Sequence, residues 1–159
     1  IQLNMKDQTM TIRPATVKDV KQINALINIH AEHDKMLFRS IADIYENLQS
    51  FIVVDTDSEI TGCCSLQIIW SDLAEIKSLA VKEGYLRKGI GRDLVQTAEE
   101  TAAELGIRRI FALTLEPEFF KRLDYSVIDK DRLPMKVWSD CARCPKQDHC
   151  DETAVIKYL

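Results

Sequence analysis

Two glycines and three cations lie close together in the segment RKGIGR, which runs from Arg87 to Arg92. Gly89 and Gly91 let the backbone approach a ligand closely, because a side chain at either position would hold a phosphate away. The cations Arg87, Lys88 and Arg92 stand at the start of a predicted helix, where they oppose the helix dipole unless an anion is bound. These residue types at this spacing therefore predict a site for an anionic group such as a phosphate.

A predicted strand and a predicted helix flank this loop and would fix its direction. Residues 74–81 are apolar and partly β-branched, as is typical of a strand. From Gly89 to Leu105 apolar residues recur at helical spacing, and Gly106 follows where a helix would end. Strand, glycine-rich turn and helix together present backbone N–H groups to an anion.

The other elements predict an α/β or α+β layer of helices over a sheet. The predicted strands are 10–13, 51–54, 60–70, 74–81, 109–114, 125–128 and 154–158, and the predicted helices are about 17–31, 41–49, 89–105 and 118–123. Residues 1–8 are expected to be a disordered or added segment outside the fold. Residues 129–153 form a long loop without strong periodicity, and such loops are usually functional or held by something.

Of three interpretations of the glycine loop, the residues argue against the two known phosphate-binding patterns and leave the third open. A Walker A loop requires G-x-x-x-x-G-K-[ST], which is absent from the chain. A dinucleotide-binding fingerprint requires a third glycine, and Leu94 stands in its place. A strand–helix turn without any ligand is the third interpretation.

The segment S-L-A-V, followed by a short spacer and R-K-G-I-G-R, resembles motif A of the GNAT acetyltransferases. The resemblance implies one N-acetyltransferase domain over residues 9–159, with a mixed central sheet of about six to seven strands flanked by helices. It also implies acetyl-CoA as cosubstrate, held by the backbone of the strand and by the loop, through Leu79, Ala80, Val81, Arg87, Lys88, Gly89, Ile90, Gly91 and Arg92. The family pattern [QR]-x-x-G-x-[GA] has Leu86 at its first position here, so the first phosphate contact must be made differently.

Acyl transfer to an amine requires a base, because a protonated amine has no lone pair to attack with. Glu75 is the candidate, since many GNAT enzymes place a catalytic glutamate just upstream of the pantetheine segment. The alternative is a surface glutamate paired with Lys77, which lies two residues on and shares its strand face.

Many GNAT enzymes also place a tyrosine acid in the helix before an L-G-F motif. The matching stretch here is FFKRLDY, in which Phe120 occupies the tyrosine position and Asp124 the glycine position. We therefore predict no tyrosine acid there, and we interpret Tyr125 as a core aromatic residue.

The segments KMLFRSIADIYENLQSFIVV and EPEFFKRLDYSVIDKDRLPMKVW resemble the short members of the N-acetylglutamate synthase family. This resemblance implies L-glutamate as acceptor, with N-acetylglutamate formed as the first step towards arginine. Because glutamate brings two carboxylates, the acceptor pocket needs cations. Arg39, at the Arg-Ser position of the family, is the first candidate, and Lys77 and Ser78 follow; the alternative for Arg39 is a surface cation at a helix start.

Three cysteines lie within ten residues of the long loop, in the segment CARCPKQDHC. Cys141 and Cys144 form a C-x-x-C pair, which is half of a structural zinc site, and Cys150 supplies a third thiol. The two interpretations are a zinc ion that staples the loop and free thiols in a reducing cell.

The composition of the chain limits which classes of binding partner it can have. The 159 residues carry a net charge of −4, which argues against nucleic acid or an anionic membrane as partner. No apolar run approaches the roughly 18 to 20 residues of a membrane span, and five cysteines, two of them adjacent, indicate a reducing compartment. We expect a cytoplasmic enzyme acting on a small amino acid, and analogy with the family allows a homodimer.

Two other functions stay open at this point. One is a GNAT enzyme that acetylates another small amine or a protein N-terminus. The other is a CoA-binding regulatory module without catalysis, which the departures at Leu86, Phe120 and Asp124 favour.

Overall fold

The computed structural model describes residues 2–5, 8–33, 35–133 and 152–159, which form a mixed sheet with helices on both faces. The strands are β1 (Gln2–Met5), β2 (Gln8–Pro14), β3 (Phe51–Thr56), β4 (Glu59–Trp70), β5 (Leu73–Val81), β6 (Arg109–Thr114), β7 (Ser126–Ile128) and β8 (Thr153–Tyr158). The helices are α1 (Val20–Glu32), α2 (Ile41–Glu46), α3 (Ile90–Glu104) and α4 (Pro117–Lys121). The strand order is β1-β2-β3-β4-β5-β6-β8-β7. The predicted fold class is therefore confirmed.

Alternating side chains of the central strands feed two cores on opposite faces of the sheet, as the period of a strand requires. On β3, Ile52 and Val54 contribute to the core beneath α3. Phe51 and Val53 point to the other face and belong to the core that includes residues of α1 and α2. The sheet is thus covered on both sides, which explains why its central strands are almost wholly apolar.

The structure adds one strand to those predicted. Residues 1–8 were expected to lie outside the fold, whereas the backbone of β1 pairs antiparallel with β2, from Gln2 opposite Thr11 to Met5 opposite Gln8. This pairing supplies hydrogen-bond partners to the outer side of β2, which would otherwise be the edge of the sheet.

Two helix ends differ from the prediction. The second helix was expected to reach residue 49, but α2 ends at Glu46, where the Asn47 side chain donates to the backbone oxygen of Asp43 at 2.9 Å. On α3 the predicted apolar face included Leu105, which is 63% exposed. The chain reverses at Gly106 (φ +85°), and Ile107 is buried in its place.

The sheet itself opens a cleft between β5 and β6. These parallel strands pair only from Leu73 opposite Arg109 to Glu75 opposite Phe111, although β5 continues to Val81. Within β5 the pairing with β4 also shifts, so that two residues, Ser78 and Leu79, stand where one would fit. Ser78 takes φ +53°, a strained value for serine, and such bulges are frequent beside active sites.

Among the residues that the structure describes, no helix has both the length and the apolar character needed to cross a membrane.

Candidate active site

A cleft of about 1460 Å³ follows the opening between β5 and β6. Its lining includes most of the predicted site residues: Arg39, Glu75, Lys77, Ser78, Leu79, Ala80, Val81, Arg87, Gly89, Ile90, Gly91 and Arg92. Lys88 is the exception among the residues of the glycine loop, since it is not part of this lining. Its ammonium lies 5.3 Å from the ring centre of Tyr85, which does line the cleft. One continuous space therefore joins the glycine loop to the predicted base.

The glycine loop leads directly into α3. Gly89 takes φ +83° and is the N-cap residue, so the first N–H groups of α3 point out of the helix end, as helix geometry requires. A Cβ at Gly89 would lie 2.8 Å from the Arg92 guanidinium, and one at Gly91 would lie 3.2 Å from the Phe119 ring. An alanine at either position would therefore crowd a neighbouring side chain of α3 or α4, whereas glycine does not.

Leu86 is 52% exposed and lines the cleft at the position where the family pattern has a polar side chain. Arg87, one residue later, also lines the cleft and takes φ +61°. This backbone conformation is uncommon for arginine. It brings a guanidinium to the cleft despite the shifted motif.

The end of β5 is fixed from the opposite face of the sheet. His30, on α1, makes a hydrogen bond between Nε2 and the backbone oxygen of Val81 at 2.9 Å. This bond orients the last peptide of the segment predicted to bind pantetheine. His30 lies within the predicted helix 17–31, and the sequence pattern indicates no role for it.

Glu75 lies inside the cleft rather than on the surface. The residue is 4% exposed and stands opposite Gln67 of β4. Lys77 Nζ donates to Gln67 Oε1 at 3.0 Å and lies 4.0 Å from Glu75 Oε1. The alternative of a surface glutamate is therefore wrong, because the Glu75 side chain is buried. The proximity to Lys77 that this alternative also predicted is present. A carboxylate, an amide and an ammonium group converge here, which is an arrangement suited to proton transfer from an amine.

Arg39 is held against β5 by three neighbours. Its Nε donates to Asp43 Oδ2 at 2.6 Å, and its Nη1 donates to Ser78 Oγ at 3.1 Å. The guanidinium carbon lies 5.0 Å from the ring centre of Phe51. With a side chain only 15% exposed, Arg39 is not a free surface cation. Arg39 and Ser78, which are 39 residues apart, are thus brought into contact in the cleft that Glu75 also lines.

The position of the family's tyrosine acid is filled by an apolar ring. Phe120 is 4% exposed and makes edge-to-face contacts with Phe119 and Tyr125, each with ring centres 5.1 Å apart. Tyr125 is also buried, and its hydroxyl donates to Glu99 Oε2 at 2.8 Å. Burial, reinforced by the neighbouring Glu99 carboxylate, raises the pKa of Tyr125, so this phenol is a structural residue of the core.

Asp124 takes φ +71°, the left-handed conformation that glycine adopts most readily. The backbone of the family's L-G-F turn is therefore kept with an aspartate, a residue that tolerates this region better than most.

The five cysteines fall into two groups. Cys63 and Cys64 are fully buried, and burial raises the pKa of the Cys63 thiol to about 12. Cys141, Cys144 and Cys150 lie outside the described residues, so the zinc site stays a prediction. Within the described ranges, no group of three or more His, Cys, Asp or Glu side chains is placed to hold a metal ion.

Sequence analysis missed Gln67 and Asp43 as members of the site. The sequence feature that could have revealed Gln67 is the two-residue turn after Trp70. This turn places β4 antiparallel to β5 and pairs Gln67 with Glu75. The signal for Asp43 is its spacing of four residues from Arg39, which suits an ion pair along a helix.

Comparison with known proteins agrees with this geometry. A family model described as "Acetyltransferase (GNAT) family" matches residues 17–125. An uncharacterized N-acetyltransferase of Chlorobaculum tepidum is 42% identical over 93% of this chain and 96% of its own length. An amino-acid acetyltransferase of Mycobacterium tuberculosis is 31% identical over 87% of this chain and 80% of its own length.

Two solved structures show the same arrangement of elements. N-acetylglutamate synthase from Neisseria gonorrhoeae, complexed with coenzyme A and N-acetyl-glutamate, matches with a TM-score of 0.86 and 26% identity, over 94% of this chain and 35% of that chain. A Mycobacterium tuberculosis protein in complex with CoA and NLQ matches with a TM-score of 0.82 and 27% identity, over 94% of this chain and 99% of that chain.

Proposed function

Since this chain belongs to the GNAT family of acetyltransferases, we propose that it transfers the acetyl group of acetyl-CoA to the α-amino group of L-glutamate. The product would be N-acetylglutamate, which implies a role at the first step towards arginine. The observation that carries the choice of acceptor is the pair of cations, Arg39 and Lys77, which line the same cleft as Glu75 and Ser78.

The donor side of the proposal rests on the glycine loop and β5. The start of α3, with Gly89 and Gly91, offers backbone N–H groups and space to the pyrophosphate of acetyl-CoA. Leu79 and Val81 line the same cleft along the strand that leaves β6, where an extended pantetheine arm would find backbone partners. Backbone N–H groups in this segment would also polarise the thioester oxygen.

The acceptor side rests on charge. A glutamate carboxylate matches the fork of N–H donors on the Arg39 guanidinium, and the second carboxylate is matched by the Lys77 ammonium. Ser78 adds a hydroxyl that already contacts Arg39. Lys77 Nζ lies 4.0 Å from Glu75 Oε1, so an amino acid whose carboxylate is bound by Lys77 would have its amine near the proposed base.

Glu75 would take the proton that the amine must lose, either directly or through one water molecule. The amine nitrogen then forms a bond to the thioester carbon as the carbon–sulfur bond breaks, and the electron pair of that bond leaves with the CoA sulfur. The second proton of the attacking nitrogen passes to solvent water, which leaves a neutral amide. Because Phe120 replaces the tyrosine acid, we propose that the thiolate leaves without a proton from that helix.

Relatives support the amino-acid acceptor at two levels. The Mycobacterium tuberculosis relative is an amino-acid acetyltransferase by name and is matched over 80% of its length. The Neisseria structure holds N-acetyl-glutamate together with coenzyme A, although this chain spans only 35% of that protein.

The test is release of the CoA thiol from acetyl-CoA with glutamate, aspartate, glutamine and lysine as separate acceptors, with the acetylated product identified by mass. Saturable release with glutamate would support the proposal. Release with another acceptor alone would support the acetyl-transfer activity and reject glutamate as the acceptor. Acetyl-CoA binding without thiol release for any of the four acceptors would reject acetyl transfer to these amino acids and favour the regulatory module.

A further inference from the structure

Three neighbouring residues hold the Arg39 guanidinium in place. Asp43 Oδ2 accepts from Nε at 2.6 Å, and Ser78 Oγ accepts from Nη1 at 3.1 Å. The Phe51 ring lies beneath the guanidinium, with its centre 5.0 Å from the guanidinium carbon. Contacts on three sides leave the group little freedom to rotate.

Asp43 is itself held by its own helix. Its backbone N–H donates to Ser40 Oγ at 3.0 Å, and its Oδ1 accepts from Asn47 Nδ2 at 2.9 Å. Each carboxylate oxygen therefore has a separate partner, Asn47 on one and Arg39 on the other. The contact with Asn47 acts on the side chain of Asp43, and it sets the direction in which the carboxylate receives Arg39.

These contacts decide which edge of Arg39 faces the cleft. Within the described part of the chain, the hydrogen bonds of the Arg39 side chain use Nε and Nη1, and Nη2 makes none. A carboxylate approaching from the Nε side would meet the negative charge of Asp43. The end formed by Nη1 and Nη2 is the edge that remains for a bidentate carboxylate.

We propose that Asp43 is a positioning residue, which fixes Arg39 so that its Nη1–Nη2 edge receives the carboxylate of the acceptor. This inference rests on the function proposed above. Asp43 contacts the acceptor only through Arg39, so its removal weakens acceptor binding and leaves acetyl-CoA binding intact.

A purely structural role for Asp43 predicts different behaviour. An acidic residue in the first turn of a helix stabilises it modestly through the helix dipole. Ser40→Ala removes the N-cap of the same helix without removing a contact of Arg39, and it therefore serves as the matched control. Asp43→Asn, which keeps the shape and loses the charge, is the milder variant if Asp43→Ala fails to fold.

The experiment is a double-mutant cycle on the full chain with Arg39→Ala, Asp43→Ala and the two combined. We expect Asp43→Ala to raise the glutamate KM about tenfold or more. This rise corresponds to the free energy of one charged hydrogen bond. The value of kcat and the Kd of CoA should stay within about threefold. In the Arg39→Ala background, Asp43→Ala should add no further rise in KM.

Equal rises in KM from Ser40→Ala and Asp43→Ala would overturn the proposal, and so would full additivity in the cycle. A readout independent of the acceptor separates this failure from failure of the glutamate assignment. In ¹⁵N NMR spectra, the Arg39 Nε–H should exchange slowly in the wild type and in Ser40→Ala, and rapidly in Asp43→Ala. Unchanged exchange in Asp43→Ala would overturn the positioning role whichever acceptor the enzyme uses.

Discussion

Lys77 Nζ lies 4.0 Å from Glu75 Oε1 while it donates a hydrogen bond to Gln67 across the β4–β5 hairpin. The ammonium thus stands next to the proposed base but is directed by a neutral amide. This arrangement sets a carboxylate, an amide and a positive charge side by side in the cleft, and these are the groups that the proposed acceptor site uses.

The first prediction concerns Glu75 as the base. Glu75→Gln keeps the shape of the side chain but cannot accept the proton of the amine, so kcat should fall by about 10²- to 10⁴-fold. The Kd of CoA, measured by calorimetry, should not change. Glu100→Gln, at an exposed position on α3, is the matched control and should leave kcat unaltered. A Glu75→Gln enzyme with near wild-type kcat would remove Glu75 from the mechanism.

Arg39→Ala should raise the glutamate KM about tenfold to a hundredfold, because a charged hydrogen bond to a carboxylate is lost. Binding of acetyl-CoA should persist, since the glycine loop is untouched. Steady-state kinetics with varied glutamate measures the first effect, and calorimetry with CoA measures the second. Arg108→Ala, at an exposed position before β6, is the control, and an unchanged glutamate KM in Arg39→Ala would exclude Arg39 from the acceptor pocket.

Gly89 and Gly106 form a natural pair for testing the glycine loop. Both take φ near +84°, at +83° and +85°, so alanine at either position should cost about 1 kcal/mol of stability. Only at Gly89 would the new Cβ also displace the Arg92 guanidinium, whereas no atom lies within 4 Å of it at Gly106. We expect Gly89→Ala alone to weaken CoA binding, by tenfold or more in calorimetry. Equal affinities in the two variants would argue against phosphate binding at this loop.

The ion pair between Arg13 and Asp19 gives a pH-dependent prediction. Hydrogen bonds from the Arg13 guanidinium hold the pKa of the buried Asp19 carboxyl below its usual value of 3.8. A lowered folded-state pKa stabilises the fold above that usual value, and the stabilisation is lost as pH falls through the folded-state pKa. Asp19→Asn should therefore cost about 2 kcal/mol at pH 7 and progressively less below about pH 4.

Urea unfolding of wild type and variant between pH 7 and pH 3 measures this difference. Asp57→Asn, in the exposed β3–β4 turn, should show no such dependence on pH. A difference between wild type and Asp19→Asn that stays constant over the whole range would contradict the ion pair.

The cysteine loop gives the last prediction. If Cys141, Cys144 and Cys150 bind zinc, elemental analysis of reduced protein should find about one zinc ion per chain, and a chelator should expose three new reactive thiols. Cys63 and Cys64 serve as internal controls, because both are fully buried and should react only after unfolding. Absence of stoichiometric zinc from reduced protein that has met no chelator would end this hypothesis.

The local pattern of the chain was sufficient to predict the strand, the glycine turn and the helix that form the candidate donor site. The glycine spacing, the strand before it and the amphipathic helix after it are adjacent in sequence, and the structure places Gly89 at the N-cap of α3 as this pattern requires. The residues of β5 and the position of Glu75 follow from the same stretch, since alternation along one strand fixes which side chains share a face.

The remaining parts depend on pairing between distant segments. Gln67 meets Lys77 only once the register of the β4–β5 hairpin is known, and Ser78 meets Arg39 only because β5 bulges at that residue. Neither a bulge nor a left-handed serine has a strong signature in composition or periodicity. The same holds for β1, whose place depends on the free edge of β2 rather than on its own sequence.

The early separation of β5 from β6, after Glu75 and Phe111, has an evolutionary consequence. The candidate donor groove is formed mainly by one strand and one loop, whereas the candidate acceptor contacts include a side chain on the separate segment before α2. On the proposed assignment, substitutions in that segment would change which acceptor is bound and leave the donor groove intact. A lineage with this architecture could then acquire new acceptors through changes in a few side chains while it keeps acetyl-CoA as donor.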